Sequence, residues 1–105
     1  MIIDIHCHCF PDQLAQKAIP LLSEKAGIPA YTDGTVNCLK ESMDKSRIDI
    51  CVLQPIATKP EQTTGVNRWA VGVQDGRIIT FGTIHPDFPN WEDEIYWLKA
   101  AGVKG

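Results

Sequence analysis

The sequence predicts an α/β fold built on a parallel β-sheet, and three observations support this prediction. Short segments rich in β-branched residues alternate along the chain with longer segments of helical periodicity. Glycines, prolines and two Asp-Gly pairs mark the boundaries between these segments. The order strand–helix–strand recurs at a spacing typical of parallel strands that are joined by right-handed crossovers.

The first half of the chain contains two predicted strands and two predicted helices. Residues 2–9 begin as an apolar, β-branched strand. The segment 12–27 follows as a helix with an aspartate cap and a glycine stop, and Pro20 predicts a kink or a break inside it. Thr35 caps a second helix, and residues 48–55 form the second strand.

The second half continues the same alternation. A third helix begins at Pro60, and residues 77–85 form the third strand. Asn90 caps a fourth helix, and residues 103–105 begin a fourth strand. The fourth helix is expected to bury an apolar stripe of Trp91, Ile95 and Leu98. Because a three-stranded parallel sheet has two bare edges and little cover, the pattern indicates part of a larger sheet or barrel.

The composition excludes several classes of protein. The chain has 105 residues and a net charge of −3 with both signs interspersed, so no basic patch predicts binding to nucleic acid or an anionic membrane. The N-terminus does not resemble a secretory signal, and no apolar run is long enough to span a bilayer. We therefore expect a cytoplasmic protein whose four cysteines remain reduced thiols.

The clearest chemical signal is the segment Asp4-Ile5-His6-Cys7-His8. Side chains alternate between the two faces of a strand, so Asp4, His6 and His8 are predicted to share one face. Two imidazoles at the end of a strand can converge on one cation. We expect zinc, with manganese or iron as alternatives, because neutral imidazole suits transition metals. Asp4 would lie one step deeper and support the ligands electrostatically.

Two other interpretations of this segment stay open. The histidines could be polar residues on a solvated strand face, although the apolar start of the strand suggests burial on both faces. Thiols of Cys7 and Cys9 could join the imidazoles in a mixed zinc site, although alternation points them to the opposite face. On that face Ile3, Ile5 and Cys7 are expected to pack beneath helices.

Two further side chains stand at predicted strand ends. His85 ends the third strand and precedes Pro86. It is a candidate for lining a substrate site, because parallel folds place their sites at the carboxyl ends of strands. A histidine that is hydrogen-bonded within a strand-to-helix turn is an equally open alternative. Gln54 ends the second strand in the same way and is the weaker candidate.

The segment Ile-Asp-Ile-His-Cys-His at residues 3–8 resembles the first strand of the amidohydrolase superfamily. More narrowly, it resembles the amidohydrolase-related group that includes aminocarboxymuconate-semialdehyde decarboxylase-like enzymes. Later segments follow the pattern of that group in order. They are residues 42–49 (Ser-Met-Asp-Lys-Ser-Arg-Ile-Asp), 66–69 (Val-Asn-Arg-Trp), 81–86 (Phe-Gly-Thr-Ile-His-Pro) and 102–105 (Gly-Val-Lys-Gly).

This resemblance implies a metal-dependent (β/α)8 TIM barrel, of which the chain would form the N-terminal part, with strands one to three and the start of strand four. It implies that His6 and His8 are metal ligands, and it assigns no catalytic residue within the chain. The implied function is a hydrolase in which metal-activated water attacks a C–N or C–O bond of a small molecule. A metal-dependent decarboxylase and a non-catalytic α/β module are the alternatives.

Such barrels need about 250 residues, so we expect the 105-residue chain alone to be inactive. A small-molecule substrate is the expected partner, and association of the chain into a homo-oligomer stays open.

Overall fold

Three β-strands and four α-helices alternate along the chain, in a computed structural model that describes all 105 residues. Their alternation agrees with the pattern of the sequence, although the strands are shorter than predicted. The elements are β1 (Ile3–Cys7), α1 (Asp12–Ala26), α2 (Val36–Ser46), β2 (Ile50–Leu53), a 3-10 turn (Pro60–Gln62), α3 (Thr63–Gly72), β3 (Ile78–Thr80) and α4 (Trp91–Ala100).

The three strands form one parallel sheet in the order β1-β2-β3. The predicted TIM-barrel architecture is wrong for this chain, because the sheet is open and α4 is followed by residues 103–105 without a fourth strand. Gly105 accepts one hydrogen bond from the Gly82 amide at 2.8 Å, so this segment runs beside the end of β3 without forming a ladder. A barrel closes only when its first and last strands pair, which three strands do not achieve.

The main hydrophobic cluster lies on one side of the sheet. Crossovers of the same hand that advance in one direction, β1 to β2 to β3, place their helices on one face. We call this the covered face and the other the open face. The buried core on the covered face consists of Cys7, Cys9, Met43, Cys51, Leu53, Ala70 and Ile78, with α2 and α3 packed against it.

The expected burial of the first strand on both faces is wrong in part. Cys7 is buried as predicted, at 7% exposure. In contrast, Ile3 is 48% exposed and Ile5 is 71% exposed, and Ile79 of β3 is also exposed on the sheet. No helix returns across the sheet to cover these side chains, because the strand order never reverses.

Local capping determines where the helices begin and end. The Thr35 hydroxyl accepts a hydrogen bond from the Cys38 amide, as predicted for the start of α2. Gly27 ends α1 in the left-handed conformation with φ of 64°. Asp12 is the first residue of α1 and not its cap, and Pro20 does not interrupt the helix. None of the helices is both long and apolar enough to cross a lipid bilayer.

The last helix is rotated relative to the prediction. Its buried residues are Glu94 and Leu98, whereas Trp91 and Ile95 of the expected apolar stripe are about half exposed. The rotation places the Glu94 carboxylate on Arg68 of α3, where it accepts two hydrogen bonds from the guanidinium. A charged side chain therefore occupies the interface in which the periodicity alone predicts tryptophan.

Candidate metal site

His6 and His8 lie at the carboxyl end of β1, at the edge of the sheet where parallel α/β folds place their ligands. Their Nε2 atoms are 3.0 Å apart, and their ring planes cross at 78° with centroids separated by 4.8 Å. Both side chains are exposed. The structure thus brings together the two imidazoles that a spacing of two residues predicts to be neighbours.

A β-bulge interrupts β1 just before the histidines. Asp4 pairs with Cys51 of β2, and Cys7 pairs with Leu53. The stretch from Asp4 to Cys7 therefore contains one residue more than the opposing stretch, which is the defining feature of a bulge. Simple alternation of side chains is lost across residues 5–6.

The bulge changes the side to which Asp4 points. Because Cys51 and Leu53 are two residues apart and both belong to the core, Asp4 and Cys7 share the covered face. The carboxylate of Asp4 accordingly contributes to raising the pKa of the Cys7 and Cys51 thiols, after the larger contribution of burial. This differs from the predicted placement of Asp4 on the face of the histidines.

The backbone groups that the bulge removes from the ladder find side-chain partners. Asp4 Oδ1 accepts a hydrogen bond from the His6 amide at 3.1 Å. On the other side, Gln54 Nε2 donates to the Ile5 carbonyl at 2.9 Å. Since unpaired backbone groups are costly, these two contacts hold the bulge at one place in the strand.

The ring of His8 is oriented by the backbone of the neighbouring strand. Its Nδ1 lies 2.7 Å from the carbonyl oxygen of Gln54. A carbonyl only accepts, so Nδ1 carries the proton and the Nε2 lone pair of His8 is free. The 3.0 Å contact between the two Nε2 atoms is a hydrogen bond when His6 carries its proton on Nε2. Both Nε2 atoms can face one cation when each ring carries its proton on Nδ1.

His85 is not brought to this pair. It follows β3, which β2 separates from β1, and its Nδ1 accepts a hydrogen bond from the Asp87 amide at 3.2 Å. Its own amide donates to the Thr63 hydroxyl at 3.4 Å, so the turn accounts for its position. No group of three or more His, Cys, Asp or Glu side chains is arranged to hold a metal ion.

The thiols do not join the imidazoles. Cys7, Cys9 and Cys51 are buried in the core on the covered face, and all are free. Burial raises the pKa of Cys9 to about 12 and also raises the pKa of Cys7 and Cys51. Because zinc binds the thiolate form, protonated and buried thiols do not favour the mixed Cys/His site.

Gln54 contributes more to this site than its position in the sequence predicts. It stands at the end of β2, the position at which parallel sheets place site residues, and that was the signal available. Its contacts to the bulge depend on the pairing of two strands that are far apart in sequence.

No family model matches the chain, and no match is found among curated proteins or solved structures. The resemblance of residues 3–8 to the amidohydrolase-related group therefore stays a prediction. Any functional conclusion depends on the geometry of the histidine pair and its surroundings.

Proposed function

We propose that the chain binds a divalent metal ion, zinc in the first instance, through Nε2 of His6 and Nε2 of His8. The supporting observation is the 3.0 Å separation of these two atoms at an exposed strand end. Zinc holds imidazole nitrogens at about 2.0–2.1 Å, so two nitrogens on one ion lie about 2.9–3.4 Å apart at common bond angles. The pair fits a shared ion with little rearrangement. Manganese and iron are the alternative metals.

The surroundings of the pair also suit a metal ligand. The Gln54 carbonyl fixes the His8 ring by accepting from Nδ1, and ligating histidines characteristically donate their other ring nitrogen in this way. The Asp4 carboxylate holds the backbone amide of His6. Each ligand is therefore supported by a group that does not itself bind the ion.

We further propose that this site serves metal-dependent hydrolysis of a small molecule, as in the amidohydrolase-related group that residues 3–8 resemble. A divalent ion at the pair supplies Lewis acidity, which lowers the pKa of water and polarises a carbonyl oxygen. The residues of this chain bind the ion and orient the ligands. The exposure of both rings leaves room for a substrate beside them.

Two imidazoles are fewer than the three protein ligands of a typical catalytic zinc site. We therefore expect the 105-residue chain alone to bind the metal weakly and to turn over no substrate. Positioning contributes a large part of enzymatic rate enhancement, and a two-ligand site positions a reacting group poorly.

We propose the cytoplasm as the working compartment. All four cysteines are free thiols, and three of them are buried in the core. Such a core suits a reducing environment, because disulfides persist in oxidising compartments.

The test is a calorimetric titration of the purified chain with Zn²⁺ and Mn²⁺. We expect saturable binding of one equivalent, which is lost in the His6→Ala, His8→Ala double variant. His85→Ala is the matched control, since it removes a histidine outside the pair. Equal binding by the wild type and the double variant would refute the metal site.

Assays of the metal-loaded chain with model esters, lactones and carboxylates test the activity. Turnover that requires both histidines would show that the expectation of an inactive chain is wrong. Ester or lactone cleavage would favour hydrolysis, and release of carbon dioxide would favour decarboxylation. Metal binding without turnover is the expected result for the chain alone.

A further inference from the structure

Gln54 contacts the histidine segment through three separate groups. Its backbone amide donates to the Cys7 carbonyl at 2.9 Å, and its side-chain Nε2 donates to the Ile5 carbonyl at 2.9 Å. Its carbonyl accepts from His8 Nδ1 at 2.7 Å. The Ile5 carbonyl immediately precedes His6, and the Cys7 carbonyl lies between the two histidines. The third contact orients the His8 ring itself.

The backbone contacts of Gln54 do not depend on its side chain, but the contact to Ile5 does. The Ile5 carbonyl lies within the bulge and needs a partner outside the ladder, and the amide of Gln54 provides it. If the bulge moves by one residue, the side chain that lies between its old and new positions changes face, because strand side chains alternate. A move toward His8 would therefore turn His6 away from it. The convergence of the two rings thus depends on the bulge staying where the amide holds it.

We propose that Gln54 is a positioning residue for the histidine pair, whose side-chain amide sets the metal affinity by holding the β1 bulge. This proposal rests on the proposed metal-binding function. Gln54 does not bind the ion, and its carbonyl keeps the proton of His8 on Nδ1 while its amide keeps both Nε2 atoms pointing to one place.

A role limited to stability fits the surroundings of Gln54 less well. Its side chain is half-buried, its only side-chain hydrogen bond goes to the Ile5 carbonyl in the bulge, and it lies outside the core cluster. Removal of a side chain that supports a metal ligand commonly weakens the affinity for the metal by about 10–100-fold. We therefore expect a larger effect on metal binding than on unfolding.

The experiment compares Gln54→Ala and Gln54→Leu with the control Gln62→Ala in the full chain. Gln62 is a matched glutamine whose side chain accepts two hydrogen bonds from Thr58, away from the histidines. The measurement is the Zn²⁺ dissociation constant, together with the thermal unfolding midpoint. We expect the Zn²⁺ dissociation constant to rise about ten-fold or more in both Gln54 variants. In Gln62→Ala we expect it to stay within about two-fold of the wild-type value, which is the scatter of such a titration.

A second measurement responds to positioning and not to stability. Long-range ¹H–¹⁵N spectra of the histidine rings report which nitrogen of each ring carries the proton. In the metal-free wild type, we expect His8 to be protonated on Nδ1. In the Gln54 variants the bulge is no longer held by the side-chain amide, so the His8 ring can leave the Gln54 carbonyl. We then expect a mixture of the two His8 tautomers, while the unfolding midpoint stays close to that of Gln62→Ala.

The outcomes separate this proposal from the metal site itself. Zinc binding within two-fold of wild type in both Gln54 variants would overturn the positioning role and leave the metal site intact. Absence of histidine-dependent binding in the wild type would remove the metal site. Should one Gln54 variant fail to fold, the zinc affinity of the other decides. A wild-type His8 ring protonated on Nε2 would in addition contradict the geometry on which the proposal depends.

Discussion

Replacing Glu94 by glutamine is expected to destabilise the fold through one polar cluster. The carboxylate is 4% exposed and accepts hydrogen bonds from the guanidinium of Arg68 at 2.7 and 3.2 Å. It also accepts from Asn67 Nδ2 at 2.9 Å and from the Thr64 hydroxyl at 3.3 Å. The Arg68 guanidinium in turn lies 3.3 Å above the ring of Trp97. This cluster joins α3 to α4.

The magnitude follows from what glutamine keeps and loses. One oxygen remains as an acceptor, but the new amide group faces the donors of Arg68 and Thr64. Hydrogen bonds to charged groups contribute about 1.5–3 kcal/mol. Because Arg68 is 37% exposed and water can solvate it in the variant, we discount this to about 1–3 kcal/mol for Glu94→Gln. For a domain of this size, the loss corresponds to a fall in the unfolding midpoint of about 5–15 °C.

The effect should depend on pH in a defined direction. Burial alone would raise the pKa of Glu94, but the hydrogen bonds from Arg68 and Asn67 and the charge of Arg68 outweigh burial and lower it below its ordinary value of 4.5. A carboxyl group with a lowered folded-state pKa stabilises the protein above its unfolded pKa. That stabilisation is lost as the pH falls through the folded-state pKa. The difference between wild type and Glu94→Gln should therefore shrink in acid.

Urea unfolding followed by tryptophan fluorescence measures this difference at neutral and acidic pH. Glu92→Gln is the control, since Glu92 lies exposed in the first turn of the same helix. We expect its free energy of unfolding to stay within about 0.5 kcal/mol of wild type. Equal stability of Glu94→Gln and wild type at neutral pH, or a difference that persists unchanged in acid, would refute the reasoning.

Two further predictions test the core. Ile5→Thr should change the free energy of unfolding by less than about 0.5 kcal/mol, because Ile5 is 71% exposed on the open face. A destabilisation as large as that of a core substitution would show that the open face at Ile5 is covered. A thiol-reactive dye should modify at most Cys38 rapidly in the folded chain and all four cysteines after unfolding, because burial raises the pKa of the other three thiols. Rapid modification of more than one thiol in the folded chain would contradict the buried cluster.

Parts of the candidate site could be predicted because they depend on neighbours in the chain. A spacing of two residues places His6 and His8 on one side of a strand end, and the structure brings their rings together. Asp4 obeys the same alternation only in a regular strand, and the bulge at residues 5–6 moves it to the covered face. Gln54 supports the bulge across a strand pair, a relation between positions 49 residues apart.

In the fold, too, the sequence predicts the features that depend on neighbouring residues and not those that depend on distant ones. Alternating segments, the Thr35 cap and the Gly27 stop predict the order and several boundaries of the elements, since hydrogen bonds within one turn decide them. The barrel prediction is wrong because strand number and closure concern the whole sheet, and this sheet has three strands and two free edges.

What a residue contacts across the molecule is settled by tertiary packing. The helices cover one face because the strand order never reverses, and Ile3 and Ile5 are exposed despite a pattern that suggests burial. The rotation of α4 depends on whether Glu94 meets Arg68, which belongs to another helix. Local periodicity indicates which residues of a helix or strand lie on the same side. Which side becomes buried is decided by the free energy of contacts with residues that are distant in the sequence.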